Sequence, residues 1–306
     1  MRPDESLVTI DGPWTHRGVH AGGTRFHVVE AGEGPLVLLL HGFPQFWWTW
    51  RHQLVSLPAA GYRAAAVDLR GYGASDKPPR GYDLPTLAQD VVGLIKALGE
   101  SGAIVVGHAL GGLLAWTMAA TDPKSVRRLV AVAAPHPLRL RGVLLRGSPG
   151  QLRASAHALA FQLPFYPEIR LTSREGAWVG TLLERWSGPG WPGEEVTRTY
   201  RDAFRIPGVA HCAMEYYRWL GRSQLRPDGA RYARSLRPPI EVPTLQVHGA
   251  LDTCMLPRTA QGSGRYVAAP YRWRIMDGVG HFPQEEQPER FDAELIGWLS
   301  DDEPER

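Results

Sequence analysis

Short runs of apolar residues, each as long as one strand, recur along the chain and restrict its fold more than any other feature. The first run, Leu36–Leu40, contains no polar residue. Strands that are apolar on both faces occur in parallel sheets whose two faces are covered. The pattern therefore predicts a buried and mostly parallel sheet. Similar runs follow at residues 64–67, 103–106, 129–133 and 244–247.

Helical patterns lie between these runs. Residues 87–98 have apolar side chains at helical spacing, and residues 110–120 are apolar enough for a buried helix. Residues 24–31 alternate apolar and polar side chains, which is typical of a half-buried strand. Strands that alternate with helices predict an α/β fold with a doubly wound sheet.

The alternation stops after residue 137, and a long segment without a clean strand pattern follows. Pro238 and Pro239 precede the return of the strand pattern. We therefore predict one α/β core, residues 1–137 and 238–306, with a helical cap of residues 138–237 inserted after the sixth strand. Helix-like stretches within the cap are predicted at residues 151–163, 175–186 and 193–204.

Charge, cysteine content and apolar runs exclude several classes of protein and of binding partner. The chain has 306 residues and a formal net charge of +3, which is too small and too dispersed for a nucleic-acid surface. Its two cysteines, Cys212 and Cys254, lack ligand spacing, so neither a disulfide framework nor a metal site is predicted. The first residues lack an apolar signal core, and no apolar run is long enough to span a bilayer. We expect a cytoplasmic protein that binds a small molecule, with no cofactor and no membrane partner; a homodimer is left open.

Two glycine-containing patterns follow buried strands and predict one half of an active site. The first is HGFP at residues 41–44, a turn that can direct the backbone N–H of Phe43 into a cleft at the carboxyl ends of the strands. The second is GHALGG at residues 107–112, which matches the glycine frame of a nucleophile elbow between a strand and a helix. The Leu110 N–H, at the start of that helix, can join the Phe43 N–H in an oxyanion hole.

Asp252 and His281 predict the other half of the site. Asp252 follows the strand run that ends at residue 249, and His281 follows a short glycine loop. The chain order of nucleophile position, acid and histidine is that of a catalytic triad carried on an α/β sheet. Taken singly, each pattern also fits an ordinary turn or an isolated surface residue. Because all four occur in order at strand ends, they favour a single active site.

The segments around these patterns resemble a known family. HGFP is followed by FWWTWRHQL at residues 46–54, and DLRGYGASDKP stands at residues 68–78. With these motifs the chain resembles the α/β-hydrolase superfamily, and within it the branch of epoxide hydrolases and haloalkane dehalogenases. The resemblance covers residues 24–136 and 240–298. It implies an α/β-hydrolase core, a cap domain and hydrolase activity.

The resemblance also implies a two-step reaction. In that branch an aspartate at the elbow opens an epoxide and forms an ester, and a histidine–acid pair activates the water that hydrolyses the ester. Carried onto this chain, His281 is the base and Asp252 is the acid that orients it. The Phe43 and Leu110 amides are the oxyanion donors, and Ala109 occupies the nucleophile position.

Ala109 is the main departure from this catalytic pattern. A methyl side chain has no lone pair, so it cannot form the covalent ester. Two interpretations are open, an aspartate replaced deliberately to trap a ligand and a natural member without the nucleophile. In either case we expect this chain to be inactive or impaired as a hydrolase.

The resemblance implies substrate contacts as well. Tyr217, in EYYRW at residues 215–219, aligns with a cap tyrosine that hydrogen-bonds the epoxide oxygen. The second cap tyrosine aligns with Phe161, which has no hydroxyl, and Tyr166 could substitute for it. Trp48 and His108 complete the predicted contacts, although core packing is an alternative for both. Aromatic lining would favour a small hydrophobic substrate.

These observations leave three hypotheses of function. The first is an epoxide hydrolase-like enzyme whose active form carries aspartate at position 109. The second is a serine-type hydrolase of esters, lactones or carbon–carbon bonds, because the glycine frame accepts serine as readily. The third is a binder without a nucleophile, or a catalyst in which His281 and Asp252 act directly as a general base.

Overall fold

The computed structural model describes residues 4–301, and an eight-stranded sheet lies at its centre. The strand order is β1-β2-β4-β3-β5-β6-β7-β8. β1 and β2 run antiparallel to their neighbours, and all pairings from β4 to β8 are parallel. The predicted α/β fold with a mostly parallel sheet is confirmed. The strands are Thr15–Ala21 (β1), Thr24–Ala31 (β2), Leu36–Leu40 (β3), Arg63–Val67 (β4), Ala103–His108 (β5), Val126–Val132 (β6), Thr244–Gly249 (β7) and Tyr271–Met276 (β8).

Burial explains which strands were visible in the sequence. Every residue of β3 is buried, because β3 pairs with β4 on one side and β5 on the other. The outer strands β1 and β8 were not predicted. Each has one unpaired edge and partly exposed side chains, as at Arg272 and Arg274 of β8, so neither shows a continuous apolar run.

Helices cover both faces of the sheet. Helix α3, Leu110–Thr121, is buried along nearly its whole length and packs against β5, β6 and α2. Such a helix has no polar face, which is why its sequence is uniformly apolar. The other helices outside the insertion are α1 (Gln53–Ala59), α2 (Leu84–Ala97), α12 (Pro257–Ala260), α13 (Pro283–Glu286) and α14 (Pro288–Ser300).

The segment between β6 and β7 is helical, as predicted for an insertion after the sixth strand. The predicted helical stretch at residues 151–163 is two short helices that meet at Ser155. The division into a core and a cap at residues 137/138 and 237/238 stays a prediction. The helices of the insertion are α4 (Pro137–Leu145), α5 (Pro149–Ala154), α6 (Ala156–Ala160), α7 (Tyr166–Thr172), α8 (Ala177–Trp186), α9 (Glu194–Arg205), α10 (Val209–Arg222) and α11 (Pro227–Ser235).

Helix length and polarity decide whether a helix can cross a bilayer. Between residues 4 and 301, no helix combines the length and the apolar character needed to cross a membrane.

Candidate active site

Ala109 forms a strained turn between β5 and α3. Its backbone angles are φ 48° and ψ −108°, a conformation that residues other than glycine rarely adopt. The Ala109 N–H donates to the Val132 carbonyl of the neighbouring strand at 2.9 Å. The turn lies at the carboxyl end of the sheet, and Ala109 lines a cavity there. Strain of this kind is concentrated at functional sites, where the surrounding fold holds it in place.

Two glycines flank the turn because no side chain fits there. A Cβ atom on Gly107 would stand 2.2 Å from the Gly111 carbonyl oxygen, and one on Gly111 would stand 2.3 Å from the Leu40 carbonyl oxygen. Both obstacles are backbone atoms, which cannot rotate away. The glycine frame seen in the sequence is therefore a requirement of the sharp strand-to-helix turn.

Asp252 and His281, predicted as acid and base, are brought together at the ends of β7 and β8. The His281 Nδ1 atom lies 2.7 Å from Oδ2 of Asp252. The Cys254 and Met255 N–H groups both donate to Oδ1 at 2.8 Å. The His248 Nε2 atom is 3.2 Å from Oδ2. The carboxylate is thus fixed by backbone donors while its second oxygen orients the His281 ring.

Asp252 and His281 each stabilise the charged form of the other, although both are buried. Burial alone raises the pKa of Asp252, but the charge of His281 and the hydrogen bonds of His248 and His281 lower it below the ordinary value. Burial alone lowers the pKa of His281, but the charges of Asp252 and Cys254 raise it well above the ordinary value. The ring is therefore a stronger base than a free imidazole.

Two side chains, Glu286 and His108, hold the backbone around His281. Glu286 accepts the N–H of Gly280 at 2.7 Å and the N–H of Phe282 at 2.9 Å. The His108 Nε2 atom lies 2.7 Å from the His281 carbonyl oxygen, so it donates to that oxygen. Glu286 was missed in the sequence, although an acid five residues after the candidate base was a visible signal.

A cavity of about 390 Å³ lies between the carboxyl edge of the sheet and helices α4–α6, α10 and α11. Its walls are largely aliphatic, which suits an apolar ligand. Asp252 is buried behind His281 and does not line the cavity. The predicted site residues that line it are Phe43, Ala109, Leu110, Tyr217 and His281.

Phe43 and Leu110, the residues predicted to supply oxyanion donors, both line this cavity. Leu110 is the first residue of α3, so its N–H has no acceptor within the helix. Phe43 lies in the loop after β3, and its ring packs edge-on against Tyr217 with centroids 5.4 Å apart. Backbone amides at these positions can bind an anionic oxygen, and this role stays a prediction.

Two predicted substrate contacts on the cap require correction, because neither side chain lines the cavity. Phe161 is completely buried and packs against Tyr217, with ring centroids 4.8 Å apart, so it supports that ring from behind. Tyr166 begins α7 and is 44% exposed, with its ring beside Trp178. Its hydroxyl therefore cannot replace the one missing at Phe161.

Two predicted contacts on the core are corrected for the same reason. The Trp48 ring packs edge-on against Tyr200 and carries the Arg51 guanidinium 3.9 Å above it. The His108 ring is buried and turned towards the His281 backbone. Both side chains pack in the core, which was the alternative that the sequence left open.

His157 and Cys254 line the cavity but were not predicted as site residues. Burial raises the pKa of the Cys254 thiol, but the neighbouring His281 and His157 rings lower it to about 7. His157 stands one helical turn before Phe161, and Cys254 stands two residues after Asp252. The spacing from Phe161 was the available signal for His157, because side chains four apart share a helix face. The signal for Cys254 was its nearness in sequence to Asp252.

Comparison with known proteins agrees with this fold. Residues 35–288 match the α/β hydrolase fold family. Epoxide hydrolase 3 of Xenopus tropicalis is 35% identical over 294 residues, which is 92% of this chain and 76% of the relative. Epoxide hydrolase 4 of Mus musculus is 33% identical and covers 92% of this chain and 77% of its own length.

Solved structures of epoxide hydrolases are also similar to this chain. The structure of an epoxide hydrolase from an endophytic Streptomyces superposes with a TM-score of 0.80 at 30% identity, covering 94% of this chain and 96% of the other. Epoxide Hydrolase A from Mycobacterium thermoresistibile superposes with a TM-score of 0.78 at 28% identity, covering 95% and 100%. With its sequence matches and its sheet in agreement, the chain belongs to the α/β hydrolase fold family, with epoxide hydrolase-like relatives.

Proposed function

We propose that the chain is an epoxide hydrolase-like scaffold for small hydrophobic epoxides, in which Ala109 interrupts formation of an aspartyl ester. One observation carries the proposal. The strained elbow at Ala109 and the His281 ring, which Asp252 orients, face the same largely aliphatic cavity. The names of the relatives supply the substrate class.

In the form with aspartate at position 109, the first step forms the ester. The carboxylate attacks an epoxide carbon, a C–O bond forms and the ring C–O bond breaks. Tyr217 lines the cavity and donates its hydroxyl proton to the released oxygen. Burial raises the pKa of Tyr217 well above its ordinary value, so the hydroxyl stays protonated until that oxygen becomes basic.

The second step hydrolyses the ester. His281, oriented by Asp252, takes a proton from water, and the resulting hydroxide attacks the ester carbonyl. The Phe43 and Leu110 amides stabilise the oxyanion that forms. Collapse of this intermediate releases a diol and restores the carboxylate, and the His281 proton returns to the Tyr217 phenolate.

Ala109 leaves the cavity, the base and the amides in place but removes the attacking oxygen. We therefore expect the chain to bind hydrophobic epoxides and to turn them over slowly or not at all. The test compares the unchanged chain with Ala109→Asp and Ala109→Asn on an aryl epoxide. Only Ala109→Asp should release diol at a substantial rate, because an amide is a poor nucleophile.

Isotope labelling identifies the ester route. In a single turnover in ¹⁸O-water, diol from Ala109→Asp should carry unlabelled oxygen, because that oxygen comes from the carboxylate. The label should appear in the peptide containing position 109. Adding His281→Gln should halt the reaction at the ester, visible as an increase in protein mass equal to the epoxide.

Other results would redirect or reject the proposal. A folded Ala109→Asp protein without activity on a broad epoxide panel would falsify it. A burst of nitrophenol from a nitrophenyl ester, seen only with Ala109→Ser, would favour the serine-type hydrolase. Turnover by the unchanged chain that disappears in His281→Gln would favour direct general-base catalysis.

A further inference from the structure

The opening of the cavity is surrounded by exposed leucines. Residues that both line the cavity and are exposed define this opening. Leu145, Leu152 and Leu159 meet both conditions, with exposures of 68%, 43% and 73%, and they lie on three successive helices, α4, α5 and α6. Gln224, just after α10, also meets both conditions, and its neighbour Leu225 is 94% exposed. We call residues 138–165 and 220–237 the cavity rim.

The cavity rim concentrates the exposed apolar surface of the described residues. Most of their large exposed apolar side chains lie in it or within a few residues of it, including Leu163 and Phe165 at 51% and 75%. Single exposed leucines are ordinary on a protein surface, but several exposed leucines that line one cavity mark an interaction site.

The cavity rim is also strongly basic. It contains nine arginines and one acidic residue, Asp228, while the whole chain has a net charge of only +3. The rest of the chain therefore carries net negative charge. Several rim arginines are exposed, among them Arg146, Arg153, Arg231 and Arg234. The small overall charge conceals this basic part of the chain.

We propose that the cavity rim docks on the surface of a bilayer that contains anionic lipids. Exposed leucines beside arginines, with almost no acids, are what an interfacial protein presents to such a surface. A second copy of this chain fits less well, because a two-fold contact through this face would bring like charges together. The expectation of no membrane partner relied on the absence of a bilayer-spanning run, which docking on the surface does not require.

Docking would give the cavity a direct source of ligand. Leu145, Leu152 and Leu159 would enter the boundary between headgroups and acyl chains, and the same side chains form the cavity wall. An apolar molecule dissolved in the bilayer could then enter the cavity without crossing water. This last step relies on the proposed function, whereas the docking itself does not.

Vesicle co-sedimentation of the full chain tests the docking. The vesicles are phosphatidylcholine alone and phosphatidylcholine with about a third of phosphatidylglycerol, each at low and high salt. The bound fraction should rise with the anionic lipid and fall as salt screens the arginines. Leu145→Asp with Leu159→Asp should weaken binding roughly tenfold or more.

Control variants test whether binding depends on the cavity rim rather than on any exposed apolar side chain. Val55→Asp and Ile275→Asp place the same charge at side chains that are 51% and 48% exposed outside the cavity rim, and both should bind like the unchanged chain. The double variant Arg146→Gln with Arg153→Gln removes positive charge from the rim and adds no negative charge. The fraction bound to anionic vesicles should then depend less on salt. Circular dichroism and thermal melts confirm that each variant is folded.

The outcome can overturn the proposal in two ways. Absence of binding to anionic vesicles at low salt, or equal losses in the rim variants and the control variants, excludes lipid docking at this face. A concentration-dependent dimer that the rim variants abolish, with no vesicle binding, identifies a second copy as the occupant. Neither result depends on epoxide turnover by Ala109→Asp, so failure of one proposal is distinguishable from failure of the other.

Discussion

The His281 Nδ1 atom lies 2.7 Å from Asp252 Oδ2, so a buried carboxylate orients the imidazole that faces the cavity. Ala109, at the start of α3, lines the same cavity. The orienting carboxylate, the ring and the strained elbow are all held by the fold, and only the side chain at position 109 lacks a reactive atom. Under the proposed function, the site is a catalytic arrangement from which one functional group is missing.

Replacing Asp252 with asparagine tests the electrostatic role of the pair. The folded-state pKa of Asp252 is lowered, so its ionised form stabilises the fold above the unfolded value of about 4. This contribution is lost as pH falls through the lower folded value. We expect Asp252→Asn to reduce the free energy of unfolding by about 3 kcal/mol near pH 7, with a smaller difference in acid.

Urea denaturation of both proteins from acid to neutral pH measures this difference. The raised pKa of His281 adds stability that is present in acid and is lost only as pH rises through its folded value, well above the ordinary value for histidine. An asparagine variant whose stability deficit stays constant across the whole range would show that the carboxylate charge is not the cause.

The two cysteines should react very differently with iodoacetamide. The His281 and His157 rings lower the pKa of Cys254 to about 7 despite its burial, and Cys254 lines the cavity. Burial raises the pKa of Cys212, which accepts a hydrogen bond from Tyr82 at 2.9 Å. Slightly above neutral pH we expect Cys254 to be alkylated at least about tenfold faster than Cys212, because only the thiolate reacts.

Peptide mass spectrometry over time measures both rates in one sample, so Cys212 serves as an internal control. His281→Gln should slow the labelling of Cys254 and leave that of Cys212 unchanged. Labelling of Cys212 first would contradict the assigned environments.

Glycine substitutions test the packing of the elbow. A Cβ atom on Gly111 would stand 2.3 Å from the Leu40 carbonyl oxygen, so Gly111→Ala should cost about 3 kcal/mol of unfolding free energy or prevent folding. Gly297 lies in α14, and a Cβ atom there would have no neighbour within 4 Å, so Gly297→Ala should stabilise the protein by about 1 kcal/mol. Thermal denaturation compares the two, and a neutral Gly111→Ala would refute the close approach.

Two tyrosines distinguish the cavity from the outer surface of the cap. In the Ala109→Asp background, Tyr217→Phe removes a hydroxyl from the cavity wall and should lower kcat/KM for an epoxide by about 100-fold. Tyr166→Phe removes one from a side chain that is 44% exposed outside the cavity, and it should have no effect. Steady-state kinetics on both variants decide whether Tyr217 is the proton donor.

Much of the fold follows from local sequence patterns. A strand covered on both faces must be apolar throughout, so Leu36–Leu40 and its parallel neighbours were visible in the sequence. The glycines around position 109 indicated a close backbone approach. The edge strands β1 and β8 were not visible, because a partly exposed strand needs only a few apolar positions.

The sequence by itself determined the order of elbow, acid and histidine and the residue types that each position carries. Only the tertiary structure decided which cap side chains face the cavity. It placed His157 in the wall and Phe161 behind Tyr217, because the packing of short helices sets their rotation. Only the fold showed that several rim arginines are exposed beside leucines that line the cavity, because net charge is a sum over the chain and says nothing of position.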